Sequence, residues 1–125
     1  MIVGIGVDTV AIGRIERLLQ RGGDRLLARL CRDDERRLVL ARERPGAALA
    51  ARFCAKEAVA KCLGTGFASG VAARDIEVVR ATDGAVSVRL HGGAARRAES
   101  LGIRRVLLSL SHNEHSAVAF AIAEG

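Results

Sequence analysis

Residues 48–64 read ALAARFCAKEAVAKCLG, with no proline and with glycine only at the last position. Ala, Leu, Arg, Lys and Glu dominate the stretch, and these residues favour helix. Gly64 stands where a left-handed C-cap residue ends a helix. Most of the other side chains are apolar, and a helix that is apolar over most of its circumference is typically buried. The stretch therefore predicts a central, buried helix.

At 100° per residue, Arg52 and Lys56 lie on one stripe of this helix, and Glu57 and Lys61 lie on another. Glu57 and Lys61 flank Phe53, so we expect them near or inside the protein. An interior carboxylate needs a partner. Two partners are open: Lys61, in an ordinary i,i+4 ion pair, or a metal ion.

The composition limits the class of protein. A chain of 125 residues predicts one domain, residues 1–125, and its 2% aromatic content predicts a core of small side chains that an oligomer would supplement. The net charge of +6 favours an anionic partner, such as a phosphorylated cofactor, nucleic acid or an acidic protein. Nucleic acid is disfavoured because aromatic side chains for base stacking are scarce and no DNA- or RNA-binding signature is present.

The cysteine pattern and the hydropathy predict a cytoplasmic protein that does not enter a membrane. Cys54 and Cys62 are separated by roughly 12 Å of helical rise, which is too far for a disulfide. With Cys31 they are expected to be reduced core residues. The sequence contains no signal-peptide pattern and no apolar run of transmembrane length.

The N-terminal residues 1–8 alternate as a strand does. The apolar members are Val3, Ile5 and Val7, and the opposite face carries Gly4, Gly6 and Asp8. A strand face bare of side chains permits close approach by another element. The Gly-x-Gly pair lacks the third glycine of a dinucleotide-binding loop. Asp8 is either the N-cap of a following helix or a functional carboxylate.

A short amphipathic helix is predicted over 12–20, ending at Gly22-Gly23. Its exposed side carries an arginine ridge, which consists of Arg14, Arg17, Arg21 and Arg25. Such a ridge is either a solvated basic face or a docking surface for an acidic partner.

The remaining pattern predicts two further short helices, 24–30 and one capped by Asp33, and a glycine-rich loop over 64–70. A hairpin over 75–90, a helix over 94–101 and a second hairpin over 106–123 follow. His112, at a strand end, is either a turn residue or a catalytic residue. The fold class is therefore α+β, with a largely antiparallel sheet and helices packed on one side.

Three blocks together resemble one family: GIGVDTVAIGRI at 4–15, ARFCAKEAVAKCLGTGF at 51–67 and SLSHNEHSAVAFAIAE at 109–124. They are similar to the holo-[acyl-carrier-protein] synthases, the short bacterial type of 4′-phosphopantetheinyl transferase. The resemblance implies transfer of 4′-phosphopantetheine from coenzyme A to a serine of acyl carrier protein. It also implies release of adenosine 3′,5′-bisphosphate, a role in fatty acid biosynthesis and assembly as a homotrimer with active sites between subunits.

The resemblance also implies residue roles. Asp8 and Glu57 would hold Mg²⁺ against the pyrophosphate of coenzyme A, and Lys61 would face the phosphate or the attacking serine. The nucleotide end of coenzyme A would contact Lys56, Gly64, Gly66, Ser111 and His112. The acidic carrier protein would dock on Arg14, Arg17 and Arg21. Two carboxylates without a His or Cys cluster suit Mg²⁺, and Glu57, Asp8 or a metal-bound water could accept the serine proton.

The chain departs from the family pattern in two places. Leu30-Cys31 stands where Phe-Thr is common, so contacts near Glu35 are expected to differ from those of the family, and Asn113 replaces the usual Asp after SxSH. The alternative function is a non-catalytic module of the same fold that binds coenzyme A or a nucleotide.

Overall fold

The computed structural model describes all 125 residues. Its elements in chain order are β1 (Ile2–Ala11), α1 (Ile12–Leu30), α2 (Asp33–Leu40), α3 (Pro45–Cys62), a 3-10 turn (Ala73–Asp75), β2 (Ile76–Arg80), β3 (Val86–Leu90), α4 (Gly92–Ser100), β4 (Arg105–His112) and β5 (Ser116–Glu124).

The strands form two antiparallel sheets, so the predicted α+β class is confirmed. The larger sheet has the order β1-β5-β4, and the β2-β3 hairpin forms a separate sheet. In the larger sheet Ala119 of β5 pairs with Asp8 on one side and with Leu110 on the other. This register fixes where the functional side chains of β1 and β4 lie relative to one another.

Helix α3 is the centre of the core, as its composition predicts. It begins three residues before residue 48, the first of the stretch quoted above, because Pro45 occupies the first turn, where its missing N–H is not needed. Gly64 follows the helix with φ +76°, as a left-handed cap requires. A Cβ on Gly6 would collide with the carbonyl of Ala58, and one on Gly4 with that of Cys62. The bare face of β1 is therefore the surface on which α3 packs.

Two thiols of α3 hold it to this sheet. Cys54 Sγ lies 3.0 Å from the carbonyl oxygen of Asp8, and Cys62 Sγ lies 3.2 Å from that of Ala121. Burial raises the pKa of the Cys54 thiol to about 12, so the group stays protonated and donates. Cys31 is also buried, and all three cysteines are free thiols, as the sequence predicts.

The helices before α3 differ from prediction in their continuity and in their N-caps. Helix α1 continues to Leu30 through a kink at Gly23, whose φ of 50° and ψ of −130° interrupt the helix where a break is predicted. The prediction that Asp33 caps α2 is wrong, because the N-cap is Arg32. Glu35 reaches back, and its Oε1 accepts a hydrogen bond from the Arg32 N–H at 3.0 Å. The N-cap of α1 is Ala11, which excludes that role for Asp8.

The outer sheet face, which α3 does not cover, is apolar and exposed. Its large side chains are between 40% and 62% exposed, and they are Val3, Ile5, Val7, Leu107, Val118 and Phe120. Within one chain nothing packs on this face.

Candidate active site

The acidic pair, Asp8 and Glu57, lies where β1 packs on α3. The ammonium of Lys61 donates to Asp8 Oδ1 at 3.1 Å and to the Val7 carbonyl at 2.9 Å. Lys61 forms no ion pair with Glu57, so the alternative of an ordinary i,i+4 pair is wrong. The close approach at Gly6 is what brings Asp8 to this face of the helix.

The two carboxylates interact electrostatically. Burial is the main reason why the pKa of Glu57 is raised, and the negative charge of Asp8 raises it further. The positive charges of Lys61 and Arg14 oppose these effects. The positive charges near Glu57 therefore do not fully offset the cost of burying its ionised form.

This donor set fits Mg²⁺. The structure contains no cluster of three or more His, Cys, Asp or Glu side chains that could hold a metal ion. A magnesium ion needs only one or two protein carboxylates, because water and substrate phosphate oxygens complete its octahedral shell. Two adjacent carboxylates, one of them without a hydrogen-bonded cationic partner, meet that requirement.

An arginine-rimmed cavity of about 630 Å³ lies between α3, the α2–α3 loop, β2 and β4. Its rim carries Arg42, Arg44, Arg80 and His112, all exposed. Apolar side chains, including Leu38 and Leu110, line much of the remainder. An apolar floor with a cationic rim suits a ligand that combines a flat ring system with phosphate groups.

The acidic pair and the cavity lie on opposite flanks of α3. Ala48, which lines the cavity, precedes Glu57 by nine residues, and this spacing puts the two half a turn apart on a helix. In the sheet, Asp8 and Leu110 are separated by the intervening strand β5, so their backbones are roughly 10 Å apart. Within one chain, therefore, the structure does not bring His112 to Asp8 and Glu57.

Three other predicted ligand-binding residues line neither the acidic pair nor the arginine-rimmed cavity. Ser111 is exposed and pairs with Val118, so it lies on the outer sheet face rather than in the cavity. Gly64 lines a separate polar cavity of about 380 Å³ with Arg96 and Arg97. The adjoining Gly66 has φ +57° and no neighbour within 4 Å of where a Cβ would be.

The expectation for Lys56 needs correction. Its side chain has no exposed surface, and its ammonium donates to Glu35 Oε1 at 2.8 Å, to Ile76 O at 2.7 Å and to Ala73 O at 3.0 Å. All three protons are used. Lys56 therefore holds elements together and cannot contact a ligand while these bonds persist.

Sequence reasoning missed a buried ionic network of Glu35, Arg52 and Lys56. Glu35 is 1% exposed and lies on α2, whereas both cations lie on α3. The shared stripe of Arg52 and Lys56 was visible in the sequence and indicated a common neighbour. Nothing in the sequence identified that neighbour, because the Asp33-Asp34-Glu35 run is typical of any helix N-terminus.

The arginine ridge is exposed along α1, and none of its four side chains forms an ion pair with this chain. Its first member, Arg14, is close enough to Glu57 for its charge to lower the pKa of that carboxyl group. The ridge thus starts beside the acidic pair. None of the helices is long and apolar enough to cross a membrane.

Comparisons with known proteins show the family to which the chain belongs. The sequence profile of the 4′-phosphopantetheinyl transferase superfamily matches residues 4–121. A holo-[acyl-carrier-protein] synthase of Halorhodospira halophila is 49% identical over 98% of this chain and 97% of its own length. The crystal structure of the holo-[acyl-carrier-protein] synthase from Neisseria meningitidis has a TM-score of 0.90, with 37% identity over the whole of both chains. The Bacillus anthracis synthase, solved in complex with CoA (3′,5′-ADP), has a TM-score of 0.82, with 33% identity over 98% of this chain and 96% of that one.

Proposed function

The chain belongs to the holo-[acyl-carrier-protein] synthases of the 4′-phosphopantetheinyl transferase superfamily, and from this premise we propose the reaction and the residues that perform it. The enzyme transfers 4′-phosphopantetheine from coenzyme A to a serine of apo acyl carrier protein, depends on Mg²⁺ and releases adenosine 3′,5′-bisphosphate. We place this activity in the cytoplasm, in the service of fatty acid biosynthesis.

The observation that carries the proposal is the acidic pair with Lys61 beside it. Asp8 and Glu57 are the residues that would hold Mg²⁺. When bound, the ion neutralises charge on the pyrophosphate and on the leaving phosphate. Lys61, half-exposed and already within 3.1 Å of Asp8, adds a positive charge for the transferred phosphate group.

In the reaction the serine hydroxyl oxygen forms a bond to the phosphorus that carries the pantetheine. The bond from that phosphorus to the bridging oxygen breaks, and the electron pair leaves with adenosine 3′,5′-bisphosphate. The serine proton goes to a carboxylate of the acidic pair. We propose Glu57 as the acceptor, because burial raises the pKa of its carboxyl group.

The separation of the acidic pair from the cavity supports a homotrimer with shared sites. We propose that Asp8, Glu57 and Lys61 of one subunit face the arginine-rimmed cavity of its neighbour. The nucleotide end of coenzyme A occupies that cavity beside His112, and the Gly64–Gly66 loop adds backbone contacts. The exposed, apolar outer sheet face supplies an interface, since so large an exposed patch is typical of a contact surface.

The arginine ridge is the proposed docking site for the carrier protein. Arg14, Arg17 and Arg21 have no partner in this chain and are free to pair with the carboxylates of an acidic protein. Because Arg14 lies near Glu57, a carrier bound along the ridge would bring its serine to the acidic pair.

The test is incubation of apo acyl carrier protein with coenzyme A and the purified enzyme, followed by mass spectrometry of the carrier. We expect the carrier to gain one 4′-phosphopantetheine group when Mg²⁺ is present and none with EDTA. Glu57→Gln and Asp8→Asn should each prevent the gain while the protein remains folded. If the native enzyme modifies no carrier but binds coenzyme A, the chain is a non-catalytic binding module.

A further inference from the structure

The buried ionic network joins three elements, α2, α3 and β2, beside the arginine-rimmed cavity, which Arg52 lines. Glu35 Oε2 accepts the Val78 N–H at 3.1 Å and lies 3.5 Å from Arg52 Nη1. Arg52 Nη1 also donates to the Val78 carbonyl at 2.7 Å. The carboxylate of α2 thus fixes a guanidinium of α3 against β2.

Only one side of the Arg52 guanidinium is used in these contacts. The side chain is 9% exposed, and its hydrogen bonds to the protein come from Nη1 alone. No buried side-chain nitrogen or oxygen in the structure lacks a partner, so Nε and Nη2 must reach accessible space. Arg52 lines the arginine-rimmed cavity, which is the accessible space beside its side chain.

The free side has a specific shape. Nε–H and one Nη2–H point in parallel and form a fork that matches two oxygens of a phosphate. A guanidinium held on one side by a carboxylate and a carbonyl has lost most of its rotational freedom before a ligand arrives. Binding a phosphate to it therefore costs less ordering entropy than binding to an exposed arginine of the rim.

We propose that Glu35 is a positioning residue for the transfer reaction: it anchors Arg52 so that the free fork binds a phosphate group of coenzyme A in the cavity. This inference rests on the proposed function, because it takes the cavity to hold the nucleotide half of coenzyme A. Glu35 itself touches neither substrate and acts through Arg52.

The first experiment compares steady-state kinetics of Glu35→Gln and Glu77→Gln with the native enzyme. Glu77 is the matched control, since it is a buried carboxylate on β2 next to Val78, its Oε1 lies 2.8 Å from His91 Nε2, and it does not line the cavity. Glu35→Gln should raise the KM for coenzyme A about tenfold or more, the size expected for one misplaced charge-assisted pair. The KM for the carrier and kcat should change less than about twofold, and Glu77→Gln should change neither KM.

A second variant, Arg52→Lys, tests the same proposal in case Glu35→Gln does not fold. It keeps a positive charge beside Glu35 but removes the fork, so it should raise the KM for coenzyme A by a similar factor. Adding Glu35→Gln to Arg52→Lys should then raise that KM little further. Dephospho-coenzyme A identifies the bound group: if the penalty of Arg52→Lys disappears, the fork binds the 3′-phosphate, and if it persists, the fork binds the pyrophosphate.

The proposal is overturned if Arg52→Lys leaves the KM for coenzyme A unchanged, or if Glu35→Gln lowers thermal stability alone. Equal effects of Glu35→Gln on both substrates would also overturn it, because a general loss of structure does not single out coenzyme A. Calorimetric binding of 3′,5′-ADP to the native protein separates this inference from the function. If no carrier is modified but Arg52→Lys and Glu35→Gln both still weaken 3′,5′-ADP binding, the proposed function fails, and the anchoring of Arg52 by Glu35 for phosphate binding stands.

Discussion

Gly6→Ala perturbs the contact on which the acidic pair depends. A Cβ at this position would lie 3.0 Å from the Ala58 carbonyl carbon and 3.1 Å from the Cys62 nitrogen, and it would collide with the Ala58 oxygen. Carbon atoms pack at about 3.5–4.0 Å, so β1 and α3 must separate by roughly 1 Å. The neighbours are helix backbone and cannot turn aside as a flexible side chain could.

Both stability and activity should fall. Overpacking of this kind destabilises by roughly 1–3 kcal/mol, which corresponds to a Tm decrease on the order of 3–15 °C for a chain of this size. Asp8 lies on β1 and Glu57 on α3, so the same separation pulls the acidic pair apart. A displacement of about 1 Å at reacting groups can cost about 100-fold in rate.

The assay is calorimetric Tm together with kcat/KM for carrier modification, and Gly13→Ala is the matched control. Gly13 lies in α1, and the nearest atom to its added Cβ is Arg17 Nη1, at the end of a flexible side chain, 3.4 Å away. Alanine should therefore raise Tm there, because glycine weakens a helix interior. If Gly6→Ala keeps the native Tm and a kcat/KM within about twofold of the native value, close packing of β1 on α3 does not position the acidic pair.

Three further predictions concern charge and assembly. The pKa of Glu57 is raised in the folded protein, so the stability cost of ionising Glu57 grows as pH rises towards that pKa. Glu57→Gln should therefore raise the Tm of the metal-free protein at neutral pH while transfer is lost. A Tm of the variant below that of the native protein, both measured in EDTA, would contradict this sign. Arg14→Ala should raise the KM for the carrier by several-fold and leave the KM for coenzyme A near the native value, and the carrier effect should shrink with added salt; equal changes in both KM values would count against docking on the ridge. Ile5→Lys, at a position that is 62% exposed in one chain, should yield folded monomers in sedimentation experiments, and retention of the native molecular mass would exclude the outer sheet face as the interface.

Much of the fold could be predicted because local patterns settle it. The helix-favouring composition of residues 48–63, the break at Gly23 and the bare face of β1 can each be read in the sequence, and each is present in the structure. The juxtaposition of Asp8 with α3 follows from that bare face, since a strand without side chains on one side admits a helix at close range.

The surroundings of the individual charges could not be predicted. A helical wheel puts Arg52 and Lys56 on one stripe, but it does not say that Glu35 comes from another helix to meet them. It likewise does not say that Lys61 bonds to Asp8 across the strand in preference to Glu57 one turn away. Which charged side chains pair depends on how the helices and strands pack against one another, and that packing leaves no periodic pattern in the sequence.

The three buried thiols allow local opening of the structure to be measured. A thiol reagent can reach Cys54 or Cys62 only after α3 lifts from the sheet, and Cys31 only after the junction of α1 and α2 opens. Labelling rates at the three positions, read by peptide mapping, would therefore rank the local opening free energies of the two regions without any engineered label.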